Sequence, residues 1–162
     1  MAIYNNFEGE KIITNWRDYI SNDFASEKEM CNFIQDHSDE FARGILGIEM
    51  NVCEREYYLG QKFRRGNKPH VDFMFKSKDG DIIIIECKNV TNTFSELSGS
   101  VSQLLSYAVI AEDNNIKIDR MCLVVNKFDD RLRKIIEKFN LPIELFIFSK
   151  TNVLKMITSD KN

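Results

Sequence analysis

The chain has 162 residues, 43% of them hydrophobic and 29% charged, as is ordinary for one globular domain. Only seven Gly and two Pro occur, which excludes collagen-like or low-complexity proteins. No apolar run is long enough to cross a bilayer, and the N-terminal MAIYNNFEGE lacks the basic and then apolar segments of a signal peptide. We therefore expect a cytoplasmic protein without a membrane partner.

The net charge of −3 argues against indiscriminate binding of nucleic acid by the whole surface. The segment 62–78 is an exception, because it carries six basic residues and one acid. The basic residues are Lys62, Arg64, Arg65, Lys68, Lys76 and Lys78. A solvated loop would explain this charge, but a position beside a candidate site favours contacts to phosphates.

The four cysteines are scattered along the chain, at Cys31, Cys53, Cys87 and Cys122. No CxxC pair is present, so the spacing indicates neither a zinc ribbon nor an iron–sulfur cluster. We expect four reduced and mostly buried thiols.

Apolar periodicity predicts a helix near 7–21, which includes Trp16, and a second helix that begins at Ser26. Ser26 and Glu29 have the spacing of a capping box. Strands are predicted near 48–58, 70–75 and 81–88, followed by a helix near 96–112, a strand at 121–125, a helix at 129–139, a strand at 143–148 and a short helix at 151–157.

The segment Lys78-Asp79-Gly80 predicts a hairpin turn between the strands at 70–75 and 81–88. Four isoleucines in succession, 82–85, predict that the second of these strands is central in the sheet and buried on both faces.

Three charged residues interrupt or end these apolar strands. Asp72 lies inside one of them, and Glu86 and Lys88 end the other. Because side chains alternate along a strand, Glu86 and Lys88 share one face while Cys87 points away. The hairpin brings Asp72 back beside Glu86, so two carboxylates and one lysine should meet.

Two close carboxylates repel each other unless a cation lies between them. Oxygen ligands suit Mg²⁺, for which Mn²⁺ can substitute, and the carbonyl of Cys87 could add one more oxygen. A neighbouring lysine could orient a water and balance charge on a phosphate. The alternative is a structural pair of Lys88 with a carboxylate, because E-x-K alone is common by chance.

The segment HVDFMFKSKDGDIIIIECKN resembles the core of the PD-(D/E)xK nuclease superfamily, which includes restriction endonucleases, Holliday-junction resolvases and RecB-like nuclease domains. The resemblance implies an α/β fold with an αβββαβ core over 26–125 and a mixed central sheet flanked by helices. Residues 1–25 and 126–162 would be an N-terminal helical and a C-terminal helix-strand-helix extension of the same domain. Two departures are Pro69, three positions before Asp72, and Cys87 at a usually aliphatic position.

The resemblance also implies supporting residues. A further catalytic glutamate is expected on the helix before the sheet, and Glu27 is favoured over Glu29 because the capping box already explains Glu29. The QLLSY segment matches a Q-x-x-x-Y pattern, which gives Gln103 and Tyr107 a role in positioning the DNA backbone or the lysine.

Residues that precede the Asp72 strand complete the expected site. Arg64, Arg65 and Lys68 are candidates for phosphate contacts, and His70, two residues before Asp72, for a substrate contact.

The implied function is that of a Mg²⁺-dependent DNA endonuclease or structure-specific nuclease. The alternatives are a catalytically silent nuclease-fold module that binds nucleic acid or a protein partner, and a purely structural α/β domain. The complete set of Asp72, Glu86 and Lys88 argues against both alternatives. A homodimer is also expected, with the helix around Trp16 and the strand at 143–148 as candidate surfaces.

Overall fold

In this computed structural model, the structure describes residues 3–5, 23–60, 69–89, 94–127, 129–148 and 153–156. The predicted helix near 7–21, with Trp16, lies outside these residues, as do Arg64, Arg65 and Lys68. Within the described part of the chain, no helix is both long enough and apolar enough to span a membrane.

The elements follow the predicted αβββαβ order and add strands at both ends. They are β1 (Ile3–Asn5), α1 (Glu27–Asp36), α2 (Ser38–Phe41), a π-helical turn (Ala42–Leu46), β2 (Met50–Tyr58), β3 (His70–Ser77), β4 (Ile82–Lys88), α3 (Phe94–Asp113), β5 (Arg120–Val125), α4 (Asp130–Lys138), β6 (Ile143–Phe148) and β7 (Val153–Met156). The strands form one sheet in the order β1-β7-β6-β5-β4-β3-β2. Pairing is parallel between β4 and β5 and between β5 and β6, and antiparallel elsewhere, so the sheet is mixed.

Helix α1 begins where the capping box predicted. The hydroxyl of Ser26 accepts a hydrogen bond from the backbone N–H of Glu29 at 3.1 Å. The carboxylate of Glu29 accepts one from the backbone N–H of Ala25 at 2.9 Å. Both bonds satisfy backbone donors at the start of the helix, which fixes its first turn.

The predicted hairpin joins β3 and β4. The backbone N–H of Ser77 donates to the carbonyl of Asp81 at 3.0 Å, and Gly80 has a φ of 93°, which favours glycine. The resulting register pairs Phe73 with Ile85 and Phe75 with Ile83. This register fixes which residues of the two strands meet at their far end.

The four-isoleucine strand β4 is central, as predicted. It pairs with β3 on one side and β5 on the other. Ile84 packs into the core beside α3 and α4, whereas Ile83 and Ile85 pack into the core beside α1. The sheet therefore lies between two helical layers, and β4 is covered on both faces.

Two predictions about the C-terminal region are wrong. Residues 153–156 form a strand and not part of a helix at 151–157, because their backbone pairs antiparallel with β6 and with β1. The strand at 143–148 is not an exposed dimer surface. It is paired on both edges, and Phe146 and Phe148 are fully buried.

Candidate active site

Asp72 lies where β3 and β4 stop pairing. The regular ladder ends at the pair Phe73 and Ile85. One residue further along β3, the carboxylate oxygen Oδ2 of Asp72 accepts a hydrogen bond from the backbone N–H of Cys87 at 2.7 Å. The side chain of Asp72 thus bonds to the residue between Glu86 and Lys88, which brings together the three residues predicted from the strand pattern.

Glu86 is the most perturbed carboxyl group of the site. Its side chain is buried, and its Oε2 atom makes no hydrogen bond within the described part of the chain. Burial, with a further contribution from the charge of Asp72, raises the pKa of Glu86 to about 8. Burial also raises the pKa of Asp72, although the hydrogen bond from Cys87 and the charge of Lys88 oppose the change.

Lys88 provides the positive charge beside these carboxylates. Its Nζ lies 3.6 Å from Oε2 of Glu27, at the start of α1. Glu29 instead bonds to the backbone at the N-terminus of the helix. Of the two glutamates between which the sequence could not decide, Glu27 is therefore the one that contacts the cluster.

The next helix also reaches this cluster. The side-chain amide of Gln103 donates a hydrogen bond to the hydroxyl of Tyr107 at 2.6 Å. Burial raises the pKa of Tyr107, and the negative charges of Glu86 and Asp72 raise it further. Gln103 and Tyr107 thus form a hydrogen-bonded pair on α3, and the pKa of the Tyr107 hydroxyl is affected by the charges of Glu86 and Asp72.

Other predicted residues are further from the centre or outside the described residues. His70 is exposed, with its ring 5.2 Å from that of Tyr58. Lys76 is four residues beyond Asp72, which is about 13 Å along a strand, and Lys78 pairs with Glu49 at 3.3 Å. The basic segment is thus divided, because Lys76 and Lys78 lie towards the hairpin end of β3.

A cleft of about 300 Å³ opens beside Asp72 and contains residues that the sequence analysis did not select. Among them, Arg55 donates hydrogen bonds to Asn32 at 2.6 Å and to Gln35 at 2.9 Å. Glu56 has a φ of 51°, a strained value for a residue inside a strand. The register of β2 on β3 cannot be read from the sequence of the segment between them, so sequence spacing gave no signal for Arg55 or Glu56.

Cys31 also lines this cleft, and here the sequence did contain a signal. Cys31 follows Glu27 by one helical turn, so the two share a face of α1. A hydrogen bond with Cys31 and burial hold the pKa of the Cys87 thiol well above its usual range. The four cysteines are free, and Cys31, Cys87 and Cys122 are buried, as predicted.

The donor set fits a hard divalent cation. Two carboxyl groups with raised pKa values lie together, and a buried oxygen of Glu86 lacks a hydrogen-bond partner in the described residues. A cation such as Mg²⁺ would satisfy that oxygen and remove the repulsion. Asp72 and Glu86 would hold it, and the carbonyl of Cys87 remains the predicted third protein ligand.

No protein-family profile and no curated protein matches this sequence. Among solved structures, the chain is similar to a repair endonuclease from Pyrococcus abyssi, with a TM-score of 0.52 and 24% identity over 78% of this chain and 48% of that one. It also aligns with an EndoMS complex with double-stranded DNA (TM-score 0.46, 22% identity, 75% of this chain and 44% of that one). A third alignment is with a protein of unknown function from Silicibacter pomeroyi (TM-score 0.37, 19% identity, 65% of this chain and 57% of that one).

The first similarity, together with the element order, defines the class of fold. The chain shares its α/β fold, with the αβββαβ order and a mixed central sheet, with that repair endonuclease, which confirms the fold class predicted from the sequence. The chain spans about half the length of the Pyrococcus abyssi endonuclease, of which 48% is covered.

Proposed function

We propose that this chain is a metal-dependent nuclease that hydrolyses phosphodiester bonds, and more specifically a DNA endonuclease or a structure-specific nuclease. One observation carries the proposal: Glu86 is buried beside Asp72 with an oxygen that has no hydrogen-bond partner among the described residues. Burying such a group is costly, and binding a cation would offset that cost. The fold shared with a protein described as a repair endonuclease agrees with this function.

Asp72 and Glu86 would hold Mg²⁺, or Mn²⁺ in its place, and a bound ion supplies an acidified water and neutralises charge on the phosphate. Asp72 is already oriented for this role, because the N–H of Cys87 fixes one of its oxygens. The charge of Asp72 raises the pKa of Glu86, so the two carboxyl groups are neighbours that a shared cation would stabilise. Such an ordered ligand pair lowers the entropic cost of binding the cation.

Lys88 would act on the substrate and not on the metal. A lysine ammonium has only donor hydrogens, so it can hold a water for attack and stabilise negative charge that develops on the phosphate. Glu27, 3.6 Å away, restricts where the ammonium can lie. Gln103 and Tyr107 would position the DNA backbone or the ammonium from the α3 side.

The residues proposed to bind nucleic acid lie just before β3 in the sequence and at its start. Arg64, Arg65 and Lys68 would contact phosphates, and His70 would contact the substrate near the start of the strand. A homodimer would let two such sites cut both strands of a duplex.

The test is a cleavage panel with duplex, branched and single-stranded DNA, and RNA of the same sequences. We expect cleavage with Mg²⁺ or Mn²⁺, binding with little cleavage in Ca²⁺, and no cleavage in excess chelator. Ca²⁺ is larger and less demanding of octahedral geometry, so it should hold the substrate without aligning the water. Cleavage that persists in chelator would contradict the mechanism, and metal-independent binding without cleavage would support the catalytically silent module.

A further inference from the structure

A pair of buried thiols lies directly beside the proposed magnesium ligands. Cys31 on α1 and Cys87 on β4 are 4% and 0% exposed. Their sulfur atoms and a carboxylate oxygen of Asp72 all lie within 4.8 Å of one another. The two thiols meet because Cys87 points to the α1 side of the sheet, where Cys31 belongs to the same buried cluster.

This arrangement matches the ligands of a soft cation. Zn²⁺ takes thiolate and carboxylate ligands in a tetrahedron, with metal–sulfur bonds of about 2.3 Å. Ligand atoms of such a tetrahedron are about 3.8 Å apart, so the three atoms here would need to close by roughly 1 Å at most. Mg²⁺ prefers oxygen ligands, so the thiols contribute nothing to the proposed catalytic site.

One of the two thiols, that of Cys31, can be reached from outside, and Cys87 is buried behind it. The cleft of about 300 Å³ is lined by Cys31 and Asp72 together with Glu27, Lys28, Arg55 and Glu56. An ion entering the cleft would meet Asp72 and Cys31 first, and Cys87 behind them. Cys53 and Cys122 belong to no comparable cluster among the described residues, so the chain contains its own controls.

We propose that Cys31, Cys87 and Asp72 form a second cation site, for one thiophilic divalent ion such as Zn²⁺ or Cd²⁺, and that its occupation displaces Mg²⁺ from Asp72. Two S–H bonds break, two metal–sulfur bonds form, and the two protons leave to solvent. The carboxylate is the third ligand and water is the fourth. The proposed binding of the thiophilic ion depends only on the thiol cluster, whereas the displacement of Mg²⁺ also rests on the proposed nuclease function.

Cd²⁺ titration of the full chain tests the binding. We expect one ion per chain, with the ultraviolet charge-transfer band of cadmium thiolate. Cys31→Ala or Cys87→Ala should abolish the band and weaken binding by at least about 10- to 100-fold, the cost of losing even an outer-shell partner. Cys53→Ala is the matched control and should leave both unchanged.

Folding of each variant is checked by its thermal melt, and Asp72→Asn provides an independent variant that retains both thiols. Asp72→Asn should keep the thiolate band but weaken Cd²⁺ binding. An absent band in the wild type, or a band that survives in folded Cys31→Ala and Cys87→Ala variants, overturns the site.

Activity separates this inference from the proposed function. In excess Mg²⁺, Zn²⁺ should inhibit DNA cleavage by the wild type at concentrations that leave Cys31→Ala active. Equal inhibition of both proteins overturns the displacement. A thiolate band in a protein that never cleaves nucleic acid supports the cation site and contradicts the proposed function, whereas Mg²⁺-dependent cleavage without the band does the reverse.

Discussion

Two groups of charged residues lie at opposite ends of the central strands, and they differ in how well their polar atoms are satisfied. At the start of β5, the guanidinium of Arg120 donates to both carboxylate oxygens of Glu144, at 2.7 and 2.8 Å. Its remaining nitrogen donates to the carbonyl of Leu46 at 2.7 Å. At the end of β4, Glu86 lies beside a second carboxylate and has an oxygen without a hydrogen-bond partner in the described residues.

This difference distinguishes a cluster that stabilises the fold from a cluster that is suited to bind a cation. Charges that stabilise a fold are paired within the chain, with complementary geometry and few unused donors or acceptors. Charges that bind a cation must repel each other, or lack partners, until the cation arrives. Arg120 and Glu144 meet the first description, and Asp72 and Glu86 meet the second.

The largest expected effect is on cleavage. Asp72→Asn or Glu86→Gln should reduce Mg²⁺-dependent cleavage by at least about 10³-fold, because each removes a proposed ligand of the cation. Lys88→Met should retain the cation and lose about 10²- to 10³-fold, the typical cost of losing one group that stabilises transition-state charge. Single-turnover cleavage measures both effects.

Glu144→Gln is the matched control, since it changes a carboxylate of the other cluster in the same isosteric way. It should cleave at nearly the wild-type rate at temperatures where it is folded. If Glu144→Gln loses as much activity as Glu86→Gln, the two clusters do not differ in function.

The next effect is a pH dependence of stability without metal. A carboxyl group with a raised folded-state pKa stabilises the fold fully below its ordinary pKa of 4.5, and that contribution is lost as the pH rises through about 8. The raised pKa of Asp72 acts in the same direction. The free energy of unfolding in chelator should therefore fall by several kcal/mol from pH 5 to pH 8, at about 1.4 kcal/mol for each tenfold difference in proton affinity.

Denaturant titrations at several pH values measure this loss. Glu86→Gln should flatten most of the dependence, because glutamine does not titrate, and Mg²⁺ should restore wild-type stability at pH 8. Equal stabilities of the wild type at pH 5 and pH 8 in chelator would show that Glu86 is satisfied in the fold.

A smaller effect is expected on the free energy of unfolding at neutral pH, where variants of Glu144 and of Glu86 should differ. Glu144→Ala leaves the half-buried guanidinium of Arg120 without its carboxylate and should cost roughly 2 kcal/mol, within the range for hydrogen bonds to charged groups. Glu86→Gln in chelator should be nearly neutral, because a carboxyl group with a pKa of about 8 is mostly protonated at neutral pH and glutamine replaces it without changing the charge. Thermal melts compare the two variants, and a Glu86→Gln variant as unstable as Glu144→Ala would indicate a structural ion pair.

The central strands and the proximity of Asp72 to Glu86 and Lys88 were predictable from the sequence because the signals are local. Four isoleucines, a turn with Gly80 and alternation along β4 place Asp72 near Glu86 without any knowledge of the rest of the chain. The Ser26 capping box likewise fixed the start of α1. Local patterns are reliable where turn geometry sets the register.

Features that depend on contacts between distant segments were not predictable. Residues 153–156 have little intrinsic strand signal, and pairing with β6 and β1 decides their conformation. Arg55 and Glu56 enter the cleft only through the register of β2 on β3, across the segment 61–68. Arg120 and Glu144 are 24 residues apart, so their pairing left no spacing to detect.

The smallest expected effect decides between the two glutamates of α1. Glu29→Ala removes the carboxylate that accepts from the N–H of Ala25, so it should cost about 0.5–1 kcal/mol of stability and leave cleavage unchanged. Glu27→Ala removes the contact to Lys88, a half-exposed pair worth at most about 1 kcal/mol, so its stability should hardly change while its cleavage falls. Melts and cleavage rates of both variants measure the difference. If Glu29→Ala loses cleavage and Glu27→Ala does not, then the ion pair between Glu27 and Lys88 has no role in cleavage, and the catalytic glutamate is Glu29 at the N-terminus of α1.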